Sequence, residues 1–149
     1  MNPNKYSLSV FAKRLFDVFL SLLFLIITFP LWIIVILLIK LTSKGPIFYL
    51  SKRCGKNNKD IVLYKFRTMQ ENARQDGPAW TLPGDKRITL IGQFLRRFYI
   101  DEWPQFINIL KGDISFVGPR PEEKELANVF KENINFYNIR HLVTPGLTG

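Results

Sequence analysis

Only one cysteine, Cys54, and one histidine, His141, occur among the 149 residues. A single thiol cannot close an intramolecular disulfide, which excludes a small stapled scaffold and suits a reducing compartment. A single imidazole excludes a His-based metal cluster, most zinc sites go with it, and a Ser-His-Asp triad would rest wholly on His141, which reads as structural. Acidic residues are scarce too, but unevenly. Residues 1–60 hold two against nine basic residues, a net +7, whereas residues 61–149 hold ten against twelve, a net +2. Apolar residues are plentiful, at 47%, and with 13 Phe they exclude intrinsic disorder and fit one domain. A positive field gathered around the most apolar part of a chain suits an anionic membrane surface. It suits a nucleic-acid reading face poorly, and no nucleic-acid-binding motif accompanies the pI of about 9.9.

Charge is missing altogether from Val18 to Ile39, a run of 22 residues with Lys13, Arg14 and Asp17 before it and Lys40 and Lys44 after it. The run is long enough for membrane insertion. It exceeds the ~7–15-residue core of a secretory signal peptide and is followed by no small-residue cleavage site. Pro30 divides it. Proline lacks the amide that would bond the Ile26 carbonyl and crowds that carbonyl, so a kink is expected near Thr28 and Phe29. The arms on either side would measure roughly 18 and 14 Å as helix against ~30 Å of hydrocarbon, so neither spans alone. Basic residues at both ends favour the cytoplasmic side for both. Two readings satisfy these features: a re-entrant helix that bends at Pro30 and leaves by the face it entered, and a kinked transmembrane helix.

Beyond Gly45 and Pro46, residues 46–53 and 60–69 read as two strands joined by the polar turn CGKNNK, a hairpin. Residues 70–87 carry Gly77, Pro78, Pro83 and Gly84 without periodicity and read as an exposed loop, a candidate lid or substrate loop. Ile88, Ile91, Leu95 and Phe98 follow helical spacing and predict a short amphipathic helix with Arg96 and Arg97 off its apolar stripe. A second helix is expected to start near Asp101 and stop at Gly112, with Phe106, Ile107, Ile109 and Leu110 as its apolar positions. Ile114 to Val117 reads as a short extended piece. Residues 121–137 read as a third helix, opened by Pro121 and two glutamates. No internal repeat or low-complexity tract is present.

Asp101 and Glu102 follow two arginines and precede the second helix. Acids there cap a helix and stabilise its first turn. Alternatively, N-terminal amides keep Asp101 ionised as an oxygen nucleophile, and the adjacent carboxylate helps to hold Mg²⁺, a hard cation that favours oxygen ligands. Lys65, Arg67, Arg96, Arg97 and Arg120 are candidates to neutralise a diphosphate, and each is equally readable as a solvated surface charge. Arg120 stands in GPRP, whose rigidity serves a preorganised phosphate site or a plain turn.

KRLFD (13–17), GPIFY (45–49), YKFRTM (64–69), DKRITLIGQFLRRFYIDEWPQ (85–105), NILKGDISFVGPRP (108–121) and RHLVTPGLTG (140–149) occur in this order. Together they resemble the bacterial sugar transferase family, the monotopic phosphoglycosyl transferases that begin surface-glycan assembly. The resemblance runs from about residue 11 to the end. It implies a mostly helical α+β fold in which residues 1–44 form a re-entrant membrane helix broken at Pro30. Residues 45–149 then form a small cytoplasmic domain with a β-hairpin and short amphipathic interfacial helices. It implies an enzyme on the cytoplasmic face of the bacterial inner membrane, amid its lipids and adjacent to downstream glycosyltransferases. Such an enzyme moves a sugar 1-phosphate from a UDP-sugar to polyprenyl (undecaprenyl) phosphate, releases UMP and starts exopolysaccharide, capsule, O-antigen or glycoprotein glycan synthesis. By the same resemblance Asp101 is the nucleophile that forms a covalent phosphosugar intermediate. Asp101 and Glu102 hold Mg²⁺, and Lys65, Arg96 and Arg120 bind substrate phosphate.

The sequence departs from the family pattern at three positions: Phe29 where Ser usually precedes the proline, Tyr99 in place of a small hydroxyl residue, and Trp103 in place of Leu. Thr28 is the expected substitute for the missing serine, through a bond to an upstream carbonyl. Relatives continue past PGLTG, so truncation relative to the family is expected. The alternative function is accordingly an inactive, basic, membrane-docked protein that binds anionic lipid or a partner glycosyltransferase.

Overall fold

The computed structural model describes residues 3–71, 73 and 84–149, with side chains from Leu8 onward. The uncharged run lies within α1, Pro3–Thr42, a helix of 40 residues and ~60 Å. Its Leu8–Thr42 portion is long and apolar enough to cross a membrane. The helix is not interrupted at Pro30, which lies inside it. Proline removes one bond of the ladder, and the Trp32 indole N–H donates to Thr28 Oγ1 (3.2 Å) across that turn.

The hairpin forms, with strands shifted or shortened from the expected 46–53 and 60–69. β1 is Phe48–Cys54, β2 is Asp60–Phe66, and the two pair as a two-stranded sheet. The turn between them takes left-handed φ at Asn57 and Asn58, a conformation asparagine tolerates better than most residues. The rest is α2 (Leu90–Arg97), α3 (Gln105–Lys111), β3 (Ser115–Val117), α4 (Lys124–Asn133) and β4 (Gly146–Thr148), with 3₁₀ turns at Lys56–Asn58, Ile100–Glu102 and Tyr137–Leu142. The molecule is therefore α+β and mostly helical. Its contacts divide it into two compact units, to both of which α1, β1 and β2 contribute residues.

One unit comprises residues 28–49 and 64–104. Val35, Ile39, Phe66 and Leu95 form its buried centre, onto which Trp32, Ile36, Ile47, Ile91, Ile100 and Trp103 pack. Trp32 meets the Phe66 ring edge-on at 5.1 Å and Phe48 stacks on it at 5.5 Å. The predicted α2 stripe holds for Ile91 and Leu95 and fails at Phe98. That residue closes the helix with φ −105° and ψ 9°, so it leaves the helical path and is exposed, its ring beside that of Phe94. The ends of the 70–87 segment are tied together. The Gln70 amide donates to the Arg87 carbonyl (2.9 Å) and the Arg87 guanidinium to the Ala73 carbonyl (2.7 Å). Arg87 also grips Asp85, holding its carboxyl down at about 2. Residues 72 and 74–83 of the expected loop lie outside the described residues.

The other unit comprises residues 1–27, 50–63 and 105–149. Phe106 and Ile109 of α3 are buried, as their spacing predicts, and Phe24 of α1 stacks on Phe106 at 3.8 Å. The KRLFD segment has a definite task here. Arg14 donates to the last carbonyls of α3, Ile109 and Leu110, where a helix leaves acceptors unsatisfied and its dipole favours a cation. Asp17 is buried and accepts from the Ser115 hydroxyl (2.7 Å) and the Phe116 amide (3.3 Å), with Lys13 bonded to Ser115 and 3.5 Å from Asp17.

The extended piece at 114–117 becomes β3, which pairs in parallel with β4, Ser115 opposite Gly146 and Val117 opposite Thr148. The third helix is shorter than the predicted 121–137. Pro121, Glu122 and Glu123 precede it because β1 claims them: the Cys54 amide donates to the Glu122 carbonyl (2.9 Å) and Arg53 pairs with Glu123 (3.0 Å). His141 is buried against Tyr137, with burial pushing its pKa down.

Candidate active site

The second helix does not begin at Asp101. Asp101 and Glu102 occupy the 3₁₀ turn Ile100–Glu102, and α3 starts only at Gln105 after Pro104. The turn is set by Tyr99, an exposed residue in the left-handed conformation with φ 56° and ψ 20°. That geometry costs a bulky residue about 1–2 kcal/mol, so the surroundings must enforce it. They do. The Tyr99 amide donates to the Arg96 carbonyl (3.2 Å), its carbonyl accepts from Glu102 (3.2 Å), and Ile100 and Trp103 are embedded in the apolar centre on either side of the acids.

Lys65 comes from β2 and meets Glu102 Oε1 at 2.7 Å, both side chains being largely buried. Arg96 comes from α2, where its Nε donates to Thr68 Oγ1 (2.8 Å). α2 in turn is seated on Thr68. Thr89 caps the helix by accepting from the Gly92 amide (3.0 Å), while its own amide donates to the Thr68 carbonyl (3.0 Å). Thr68, Thr89 and Gly92 therefore position the site, and the residue pattern alone singled out none of them. A Thr three residues before a Gly at the head of an apolar stripe was the available signal.

Burial pushes the Asp101 carboxyl above the ordinary carboxylate range. Lys65 and Arg96 pull it back, the Glu102 charge reinforces the rise, and a backbone hydrogen bond opposes it. The expectation that helix amides keep Asp101 ionised is thus replaced by a desolvated carboxylate offset by two cations. A partly desolvated carboxylate beside cations can act as an oxygen nucleophile toward an anionic phosphorus centre once those cations share the phosphate charge.

Lys65, Arg96, Asp101 and Glu102 share one unit, together with Pro30; Arg120 belongs to the other, where it is exposed. The remaining candidates separate. Arg67 is buried and donates to the Ser43 carbonyl (2.9 Å) and hydroxyl (2.7 Å), a structural tie between β2 and the end of α1. Arg97 is exposed and lies over the Phe98 ring at 5.9 Å. Among the described residues no group of three His, Cys, Asp or Glu side chains is placed to hold a metal. The adjacent carboxylates of Asp101 and Glu102 fit a weaker demand. Mg²⁺ keeps most of its waters and binds through one or two carboxylates plus substrate phosphate, not in an all-protein cage.

The description "Bacterial sugar transferase" matches residues 8–149. The chain belongs to the bacterial sugar transferase family. Within that family it is 43% identical over 139 residues to the UDP-N-acetylgalactosamine-undecaprenyl-phosphate N-acetylgalactosaminephosphotransferase of Aeromonas hydrophila, covering 93% of this chain and 33% of that protein. It is 39% identical over 137 residues to the UDP-glucose:undecaprenyl-phosphate glucose-1-phosphate transferase of Klebsiella pneumoniae, covering 92% of this chain and 30% of that protein. A third relative is the exopolysaccharide production protein PSS of Rhizobium leguminosarum bv. phaseoli, 43% identical over 141 residues, covering 92% of this chain and 70% of that protein. The chain thus spans about a third of the length of the first two relatives.

Proposed function

We propose that this sugar transferase is a phosphoglycosyl transferase that moves a sugar 1-phosphate from a UDP-sugar to undecaprenyl phosphate. The names of the relatives support the substrate classes. The observation that carries the chemistry is the desolvated Asp101 carboxyl, with Lys65 fixed on Glu102 at 2.7 Å and Arg96 fixed on Thr68 at 2.8 Å.

An Asp101 carboxylate oxygen attacks the β-phosphorus of the UDP-sugar. A new Asp101 O–P bond forms, the bond from that phosphorus to the bridging oxygen breaks, and UMP leaves with the electron pair. A phosphate oxygen of the lipid acceptor then attacks the same phosphorus and breaks the Asp101 O–P bond, which yields the lipid diphosphosugar and regenerates the carboxylate. Lys65 and Arg96 lower the repulsion between carboxylate and diphosphate, and Arg120 is assigned to substrate phosphate. Asp101 and Glu102 are the residues to hold Mg²⁺, which when bound supplies further neutralisation of diphosphate charge.

Protein held in nanodiscs, with Mg²⁺ and a panel of UDP-sugars but no lipid acceptor, is expected to gain the mass of one sugar phosphate in intact-mass measurement. Absence of any gain across the panel, in a chain shown to be folded, removes the covalent route.

The helix α1 is assigned to the cytoplasmic face of the inner membrane as a re-entrant element that bends at Pro30 in the bilayer, a reading supported by the basic residues at both of its ends; in the structure the helix runs through Pro30 unbroken. Single cysteines at Asn4 and at exposed Lys52, in a Cys54→Ser background, are expected to react with an impermeant reagent from the cytoplasmic side only. Labelling from opposite sides shows a spanning helix instead.

A further inference from the structure

The GPRP loop is held by its main chain on every side while the Arg120 side chain is left exposed. At its start, the Gly118 amide donates to the Thr148 carbonyl (3.2 Å) and the Pro119 carbonyl accepts from Gly146 (3.0 Å). The two strands come so close there that a Cβ on Gly118 would lie 2.8 Å from the Gly146 nitrogen. Past the loop, Glu122 and Glu123 are held by β1 through the Cys54 amide and Arg53. Between these ties lies the Arg120 peptide, where a Cβ on Gly149 would come within 3.5 Å of the Arg120 nitrogen.

The Arg120 carbonyl is bonded by a side chain. Arg140, on the 3₁₀ turn Tyr137–Leu142, donates from Nη2 to the Arg120 carbonyl (2.8 Å) and from Nη1 to the Tyr137 hydroxyl (3.1 Å). Its guanidinium lies over the Tyr137 ring at 5.0 Å and reaches the Glu122 carboxylate at 3.8 Å. The planar fork suits this task, since one rigid group bonds the loop, the hydroxyl and the carboxylate together, and a lysine ammonium supplies no such plane. A charge-assisted bond to a carbonyl is also among the stronger ones available to fix a peptide.

We infer that Arg140 is a positioning residue, which fixes the Arg120 peptide so that the exposed Arg120 guanidinium is preorganised for a diphosphate. Rested on the phosphate-binding role proposed above for Arg120, this assigns to Arg140 no contact with substrate. Its effect on binding passes through Arg120 and vanishes when the Arg120 side chain is removed.

The test combines hydrogen exchange with a double-mutant cycle on the full-length protein in nanodiscs, with UDP and Mg²⁺ as the probe. Arg140→Ala is expected to speed exchange in the peptide covering residues 118–123 while α3 keeps its protection. UDP affinity is expected to fall about tenfold, the scale of one charge-assisted bond. Arg120→Ala is expected to cost a similar factor, and the double variant no more than either single one. Arg140→Lys, which can still donate to the carbonyl, is expected to recover part of the affinity. Unchanged exchange at 118–123 in Arg140→Ala, or protection lost throughout the unit, overturns the positioning role. Losses that multiply in the double variant also overturn it, and leave the Arg120 role standing. If Arg120→Ala binds UDP normally, the phosphate role of Arg120 fails and that of Arg140 falls with it.

Discussion

Asp101→Asn is expected to abolish the covalent sugar-phosphate adduct and at the same time to make the metal-free protein more stable at neutral pH. The loss follows from chemistry: an amide oxygen is no nucleophile toward phosphorus, and removing a covalent nucleophile lowers turnover by roughly 10⁴-fold or more. The gain follows from burial. Desolvation raises the Asp101 pKa above the ordinary 3.8, with Lys65 and Arg96 only partly offsetting it. The native state therefore keeps its proton to higher pH than the unfolded chain does. The resulting contribution is fully favourable below the ordinary carboxylate value and is lost as pH rises through the raised one. Asparagine titrates nowhere in that range. The stability gap between variant and wild type should open above the window and close below it. Thermal melts in EDTA from about pH 3 to about pH 8 read this directly, against free-carboxyl values near 4. Equal stability at neutral pH would show that the carboxyl is not desolvated, and a normal adduct in the variant would remove Asp101 as the nucleophile.

Gly92→Ala should be strongly destabilising, although helix propensity alone favours it by about 1 kcal/mol. A Cβ at Gly92 would overlap the Thr68 carbonyl oxygen and lie 2.7 Å and 2.8 Å from the Thr68 carbonyl carbon and Cα. All of these are backbone atoms, which cannot rotate away. Overpacking of this kind costs typically 1–3 kcal/mol and more where nothing can yield, so the clash wins. A net loss of about 2 kcal/mol lowers Tm by roughly 6 °C in a chain of this size. The same displacement lifts α2 from Thr68, carries Arg96 with it and disturbs the turn that Tyr99 sets for Asp101, so adduct formation should slow as well. The exposed neighbour Gln93→Ala serves as the control and should move Tm by no more than about 1–2 °C. An unchanged Tm in Gly92→Ala would mean that α2 does not rest on the Thr68 peptide.

Much of the architecture is legible in the sequence, where its cause is local. An uncharged run of 22 residues becomes a helix because nothing in it prefers water, and CGKNNK between two β-rich stretches becomes a turn because its asparagines accept left-handed φ. The spacing of Phe106 and Ile109 predicted the buried face of α3 for the same reason. The pairing of Lys65, Arg96, Asp101 and Glu102 was legible only through the ordered motifs, since each residue alone reads equally well as a cap or a surface charge.

Arg67 shows where local reading ended. In sequence it is one more basic residue two positions from Lys65, a spacing that would put both on one face of a strand, yet β2 ends at Phe66 and Arg67 lies buried and bonded to Ser43. Phe98 belongs to the apolar stripe by spacing and leaves it in space, since the helix stops one residue earlier. Glu122 and Glu123 look like the first turn of a helix and instead serve β1.

By itself, then, the sequence determined the membrane-length helix, the hairpin, the approximate helices and the order of motifs that marks the family. These are consequences of hydropathy period, turn chemistry and residue identity, each expressed within a few neighbours. Only the tertiary structure decided the burial of Asp101, the seat of α2 on Thr68, the parallel pairing of β3 with β4 and the grip of Arg140 on the Arg120 carbonyl. Each of those depends on atoms far apart in the chain meeting within a few ångströms. Desolvation and close approach are properties of that meeting, and no local pattern carries them.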